Sequence, residues 1–122
     1  MLEEQIAKAH ANPSEIGELC RLLAQGHVVI IASWSSPDSN QIAIQNFFKK
    51  NGTSFIPLFS DETHFRSETS GSGFEDKAVS VECNLLMSIL NGEETLILNP
   101  GSRTPVEFRK SDFEPYVKPI TL

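Results

Sequence analysis

The chain has little with which to carry out chemistry, and less with which to cross a membrane. Its two cysteines, Cys20 and Cys83, lie far apart and match neither a metal-ligand nor a Cys-x-x-Cys redox spacing. Its three histidines, His10, His27 and His64, never fall at helical ligand spacing, and none stands in a His-Glu-x-x-His frame. No metal site and no cofactor are therefore expected. The longest apolar run, Val28 to Ala32, is far short of the ~20 residues of a spanning helix. The chain opens Met1-Leu2-Glu3-Glu4, acidic rather than basic and then apolar. No secretory leader is read there, and the expectation is a cytoplasmic protein with free, buried thiols. Positive charge is also scarce: 10 basic residues against 16 acidic give a net charge of −6. That disfavours nucleic acid and anionic membranes as partners and suits a solvated acidic surface.

Reactive constellations are missing as well. Gly71-Ser72-Gly73 is the only glycine cluster, and it lacks the following lysine and preceding strand of a phosphate loop. There is no Gly-x-Ser-x-Gly elbow, and no serine comes with a credible His-Asp pair. The carboxylate pairs Glu3-Glu4, Asp61-Glu62 and Glu93-Glu94 are adjacent in sequence, so their side chains diverge and serve caps and turns. Phe47-Phe48-Lys49-Lys50 has the ingredients of a nucleic-acid contact over four residues only. Cys20 falls on an apolar helical stripe. Cys83 falls near a helix start, where a dipole would lower its pKa, but a small packed residue at that junction is the better reading. No catalytic residue is assigned, and the chain is read as a non-enzyme.

What is present is a regular alternation of element signals over 122 residues, read as one domain over residues 1–122 with a core at 14–113 and a loose tail at 114–122. Leu2, Ile6 and Ala9 predict a first helix, stopped by Asn12-Pro13. Ser14 is expected to cap a second helix whose stripe is Ile16, Leu19, Cys20, Leu22 and Leu23, closed by a left-handed Gly26. Val28 to Ala32 predicts a central strand, and Ser35 to Asn40 a loop. Ile42 to about Phe48 predicts a second strand, Asn51-Gly52 a hairpin turn, and Thr53 to Phe59 a third strand. The sequon Asn51-Gly52-Thr53 is read as coincidental. Ser60-Asp61-Glu62 is expected to cap a short helix buried through Phe65, and Ser67 to Gly73 to form a mobile loop. Then come a strand at Ala78 to Val81, a helix with the stripe Leu85, Leu86, Ile89 and Leu90, and two strands at Thr95 to Leu98 and Val106 to Arg109. Ser111 is expected to cap a final turn carrying Phe113. The fold class is α+β: two N-terminal helices, a mixed, mostly antiparallel sheet of about five to six strands, and further short helices.

The most motif-like stretch is Leu96-Ile97-Leu98-Asn99-Pro100-Gly101-Ser102, a strand ending abruptly in a turn. Proline and glycine suit the turn, and asparagine suits a bond to its own backbone. Its second reading is an anion-binding nest of backbone N–H groups at Asn99, Gly101 and Ser102, with Arg103 adding charge. The Ser67–Gly73 segment, with Ser70, Gly71 and Ser72, is the other candidate binding surface, because recognition concentrates on loops.

Ile56-Pro57-Leu58-Phe59-Ser60-Asp61-Glu62, then Leu85-Leu86, then the Leu96–Ser102 stretch resemble the SseB N-terminal domain family, over about Ile16 to Phe113. The family takes its name from enhanced serine sensitivity in bacteria, and related domains are sometimes labelled as linked to type III secretion. The resemblance implies a bacterial α+β domain, often followed in the family by a C-terminal domain, and supplies no catalytic residues. The functional expectation is a protein-binding or regulatory module. The alternatives are an immunity or secretion-associated protein that holds a toxin or effector, and a Cys83-based enzyme or ligand sensor. An exposed hairpin edge permits a homodimer.

Overall fold

The computed structural model describes residues 2–34, 42–44, 47–48 and 52–117. Helix α1 (Leu2–Ala11) buries Ile6 and Ala9 and exposes Glu3, Glu4 and Lys8, one apolar face at helical spacing. The Gln5 side chain is buried too, and its amide donates to Glu15 O at 3.1 Å and Glu15 Oε2 at 3.0 Å. This ties α1 to the turn that follows. The cap expected of Ser14 falls to Asn12, whose side chain accepts from Ser14 N at 3.1 Å and starts the 3-10 turn Pro13–Glu15. Pro13 has no N–H, so the first orphan donor of the turn belongs to Ser14 and lies within reach of the Asn12 carbonyl.

Helix α2 (Ile16–Ala24) buries Leu19, Cys20 and Leu23. Gly26 does not take the left-handed conformation expected of it. Its carbonyl already accepts from Cys83 N at 3.0 Å, so the chain passes straight into strand pairing.

Among the described residues seven strands follow: β1 (His27–Trp34), β2 (Ile42–Ile44), β3 (Phe47–Phe48), β4 (Ser54–Phe59), β5 (Ala78–Glu82), β6 (Thr95–Leu98) and β7 (Val106–Arg109). The main order is β2-β1-β4-β6-β7, with β3 paired to β4 and β5 to β1. Among the described residues every pairing is antiparallel except β4–β6, which runs parallel with Ile56 opposite Leu96 and Leu58 opposite Leu98. The stretch read as one strand from Ile42 to Phe48 is two short ones that pair with different neighbours, β1 and β4. Gly52 carries φ 87°, in keeping with a turn between β3 and β4; Asn51, Lys49-Lys50 and the Ser35–Asn40 loop lie outside the described residues.

Helix α3 (Glu62–Thr69) leaves β4, and helix α4 (Cys83–Ile89) leaves β5. Of the expected stripe Leu85, Leu86, Ile89 and Leu90, Leu86 is buried as expected, but Leu85 and Ile89 are exposed and α4 buries Cys83 and Met87 in their place. Leu90 is buried beyond the helix end. Cys83, Leu86 and Met87 sit at i, i+3 and i+4, a complete face for a helix of two turns. After β7 a 3-10 turn at Lys110–Asp112 is capped by Asp112, not Ser111: its Oδ2 accepts from Arg109 N at 2.8 Å. Phe113 is fully buried, its ring 5.0 Å from that of Phe108 at 81°, an edge-to-face contact. Tyr116 N and Val117 N bond back to Phe113 O, and residues 118–122 lie outside the described residues.

The α+β architecture is thus observed, with two apolar layers of unequal size. On one face of the sheet, Val28, Ile30, Ile56, Leu58, Leu96, Leu98, Val106 and Phe108 join the buried side chains of α1, α2 and α4 in the main core. On the other, Val29, Ile31 and Phe59 pack with Phe65 of α3 and with half-buried Phe74. Among the described residues no helix is long and apolar enough to cross a membrane.

Candidate functional site

The two segments with the clearest sequence signatures end side by side. Parallel pairing of β4 with β6 carries Ser60 and Asn99 to the same edge of the sheet, outside the carboxyl ends of both strands. That edge is where ligands usually meet sheets containing parallel strands. Asn99 holds φ 50°, a left-handed conformation that asparagine tolerates better than most residues. Its position is fixed from several sides. Its N–H donates to Leu58 O at 2.7 Å, its Oδ1 accepts from Ser60 N at 2.9 Å, and its Nδ2 donates to Ser60 Oγ at 3.0 Å. The side chain is 2% exposed, so the bridge is a buried splint between the ends of β4 and β6. This role replaces the local bond to its own backbone expected of Asn99.

Asp61 caps α3 as expected: Oδ1 accepts from His64 N at 2.8 Å and from the His64 ring Nδ1 at 2.8 Å. Burial pushes the Asp61 carboxyl up, but the His64 backbone and ring hydrogen bonds and the ring's charge outweigh it and hold the carboxyl below its ordinary value. Ser60 Oγ lies 3.4 Å from that same Nδ1. Sequence reading did not join Ser60, Asp61 and His64, although their spacing of one, three and four residues was visible. Their geometry is not that of a nucleophilic relay. A relay needs the carboxylate on one ring nitrogen and the hydroxyl on the other. Here both meet Nδ1, and Ser60 Oγ is also engaged by Asn99.

The anion-nest reading of the Asn99–Arg103 turn meets a specific obstacle. Gly101 has φ 81°, and any Cβ built there would collide with the Glu68 carboxylate. The glycine therefore admits a close approach by the protein's own acid from the last turn of α3. Ser102 N closes the turn onto Asn99 O at 3.1 Å. Arg103 is exposed and lines neither depression described next.

The expected Ser67–Gly73 loop also needs redrawing. Ser67, Glu68 and Thr69 belong to α3, and only Ser70 onward leaves it. Thr69 is buried at 3% and donates from Oγ1 to Phe65 O at 2.8 Å, so tertiary packing holds a residue of loop-like composition in helix. Ser70 N donates to Arg66 O, Ser72 N and Oγ donate to Thr69 O, and Phe74 N donates to Ser72 Oγ. Gly71 and Gly73 supply the positive φ values these turns require.

Two shallow depressions open where α3 and the Asn99–Ser102 turn meet. The first, about 90 Å³, has Ile31, Phe55, Pro57 and Phe59 as its apolar wall, with Thr69, Ser72, Glu68 and Pro100 around it. The second, about 40 Å³, lies among the polar residues His64, Ser67, Glu68, Asn99 and Ser102 together with Gly101, with Pro100 between the two. Glu68 and Pro100 line both. Of the candidate residues, Asn99, Gly101, Ser102 and Ser72 therefore gather at one rim, while Ser70, Gly71 and Arg103 do not line it. The apolar wall was missed in sequence. Its signal was the alternation Phe55, Pro57, Phe59, which a parallel neighbour and a short helix leave partly uncovered.

Away from this rim the two thiols are sealed. Cys20 and Cys83 are both fully buried. Burial, reinforced by Asp112 and then Cys83, pushes Cys20 up to about 12. Burial alone pushes Cys83 up to about 11. Desolvation thus outweighs the lowering that a helix start would confer on Cys83. No group of three or more histidine, cysteine, aspartate or glutamate side chains among the described residues could hold a metal ion.

Neither the curated proteins nor the solved structures contain a match to this chain. The residues that splint β4 to β6 are those whose pattern resembled one family at the sequence level. That family, described as SseB protein N-terminal domain, matches residues 2–114, and the chain belongs to it.

Proposed function

We propose that this domain is a non-enzymatic protein-binding module whose contact surface is the rim formed by the C-terminal half of α3, the Ser70–Phe74 turns and the Asn99–Ser102 turn. One observation carries the reading. Two sequence segments far apart in the chain converge on an apolar depression of about 90 Å³. That is below the ~150 Å³ that holds a benzene molecule and several-fold below the ~300–1,000 Å³ of metabolite pockets. A hollow of this size takes one side chain, and a rim of turns around it suits recognition of another protein. Both thiols lie on the opposite side of the sheet, packed in the main core, which weighs against the cysteine-enzyme alternative. The acidic balance favours a basic partner, the chemistry required by the toxin- or effector-holding alternative.

Affinity capture from the host organism tests this. Wild-type domain is expected to retain a protein that is lost when Ser72→Trp fills the depression, with the fold checked by circular dichroism. Equal capture by the filled variant, or retention of a small metabolite alone, overturns the reading.

A further inference from the structure

Resting on that protein-binding reading, we infer that the rim accepts an aliphatic side chain from an extended partner segment, and that Glu68 selects a lysine or arginine beside it. Dimensions decide what the apolar hollow accepts. A hollow of about 90 Å³ walled by Ile31, Phe55, Pro57 and Phe59 matches an aliphatic side chain and has no room for an indole. Buried apolar surface of this kind gives anchoring without direction.

The polar contact comes from Glu68. Its carboxylate lies against Gly101 at the junction of the two hollows and lines both. Among the described residues it makes no hydrogen bond and no ion pair. The glycine is what lets the acid sit flat over the turn, because any side chain there would push it away. The segment covering this face is itself acidic: Asp61, Glu62, Glu68, Glu75 and Asp76 against Arg66, over residues 61–76. Arg66 is already engaged by Glu62 at 3.1 Å. Arg103 follows the turn but lines neither hollow. A partner that seats an aliphatic group in the first hollow brings its neighbouring residue to Glu68. A cation there gains a charge-assisted contact, and an anion meets repulsion.

Fluorescence anisotropy with short labelled peptides tests the inference. The probes contain Lys-Ile or Ile-Lys in a glycine-alanine context, with control peptides in which the lysine is replaced by glutamate or the isoleucine by serine. At low salt, at least one lysine-isoleucine order is expected to bind the wild-type domain tenfold or more tightly than either control. Glu68→Lys, at an exposed position that leaves the fold intact, is expected to reverse the charge preference, and Ser72→Trp to abolish binding of every probe. Equal binding of the glutamate probe, or a charge preference untouched by Glu68→Lys, overturns the inference. If no probe binds while a host protein is still captured by wild type and lost by Ser72→Trp, the ligand assignment falls and the binding module stands. If capture also ignores Ser72→Trp, both fall.

Discussion

Leu58 and Phe59 are neighbours in β4, point to opposite faces of the sheet, and are both buried, yet their surroundings differ in kind. Leu58 belongs to the main core, closed over by three helices whose Ile6, Ala9, Leu19, Cys20, Leu23, Cys83, Leu86 and Met87 are all buried. Phe59 belongs to a cluster of four buried residues, sealed by its edge contact with Phe65 at 5.4 Å and 84° but open towards Phe55 and Pro57. The helix-covered face supplies stability, and its central side chains Leu58, Leu96 and Leu98 have no exposure. The other face supplies enough packing to hold α3 and leaves apolar surface exposed at one end. The stabilising core and the proposed contact surface thereby lie on opposite sides of one sheet, where a change to one need not disturb the other.

Removing side chains from either side sharpens that contrast. Leu96→Ala, at a position with no exposure, is expected to cost about 2–5 kcal/mol, because a closed core cannot collapse into the cavity. Phe55→Ala, half-buried at the open end, is expected to cost less, about 1–2 kcal/mol, since its ring is only partly buried and the site opens to solvent instead of leaving a closed cavity. Urea unfolding measures both, and equal costs would break the comparison.

The thiols report on how well the helix side is sealed. With Cys83 raised to about 11 and Cys20 to about 12, alkylation of the native protein at pH 8 is expected to be on the order of a hundredfold slower than in the unfolded chain. The sign of the linked stability effect follows. A thiol whose folded value is raised stabilises the fold fully below its ordinary value of 9.0, and that contribution is lost as the pH climbs from there towards 11 and 12. Denaturation midpoints that hold from neutral pH to about 9 and then fall are expected; fast labelling of the native state at pH 8 would show that face to be open.

The edge that joins the two faces has its own test. Asn99→Ala removes both side-chain bonds to Ser60 and leaves a left-handed backbone without its stabilising residue, an expected loss of ~2–3 kcal/mol. Asn99→Gly removes the same bonds but accepts the φ, and is expected to cost ~1 kcal/mol less. If the two are equally destabilised, the bridge and not the conformation is what matters. At the small end, the exposed Arg66–Glu62 pair at 3.1 Å is expected to change stability by less than ~0.5 kcal/mol in Arg66→Ala, because solvent screens it. A larger effect would mean that α3 is held more firmly than the open face suggests.

Much of the fold could be read along the chain because it rests on local patterns. The β-branched run at Val28–Ala32 marked a strand buried on both faces, Asp61 marked the start of α3, and Asn12-Pro13 marked the break between α1 and α2. Misreadings came where local preference met tertiary demand. Ser67–Thr69 looks like loop by composition and is helix because Phe65 and Thr69 are buried. Leu85 and Ile89 look like a core stripe and are exposed because Cys83 and Met87 take the inner face. The candidate site was half legible for the same reason. The Asn99–Ser102 turn announced itself through residues that only turns favour. The apolar wall at Phe55, Pro57 and Phe59 did not, because alternation shows that a face exists and not what covers it.

By itself the sequence determined the element types, the α+β class and the places where the chain must turn, since these follow from side-chain periodicity and from the backbone limits of proline, glycine and asparagine. Only the tertiary structure decided that β4 and β6 lie parallel, that Asn99 therefore splints their ends, and that Glu68 comes to rest on Gly101. Those outcomes depend on contacts between residues about forty and thirty positions apart, which no local preference can encode.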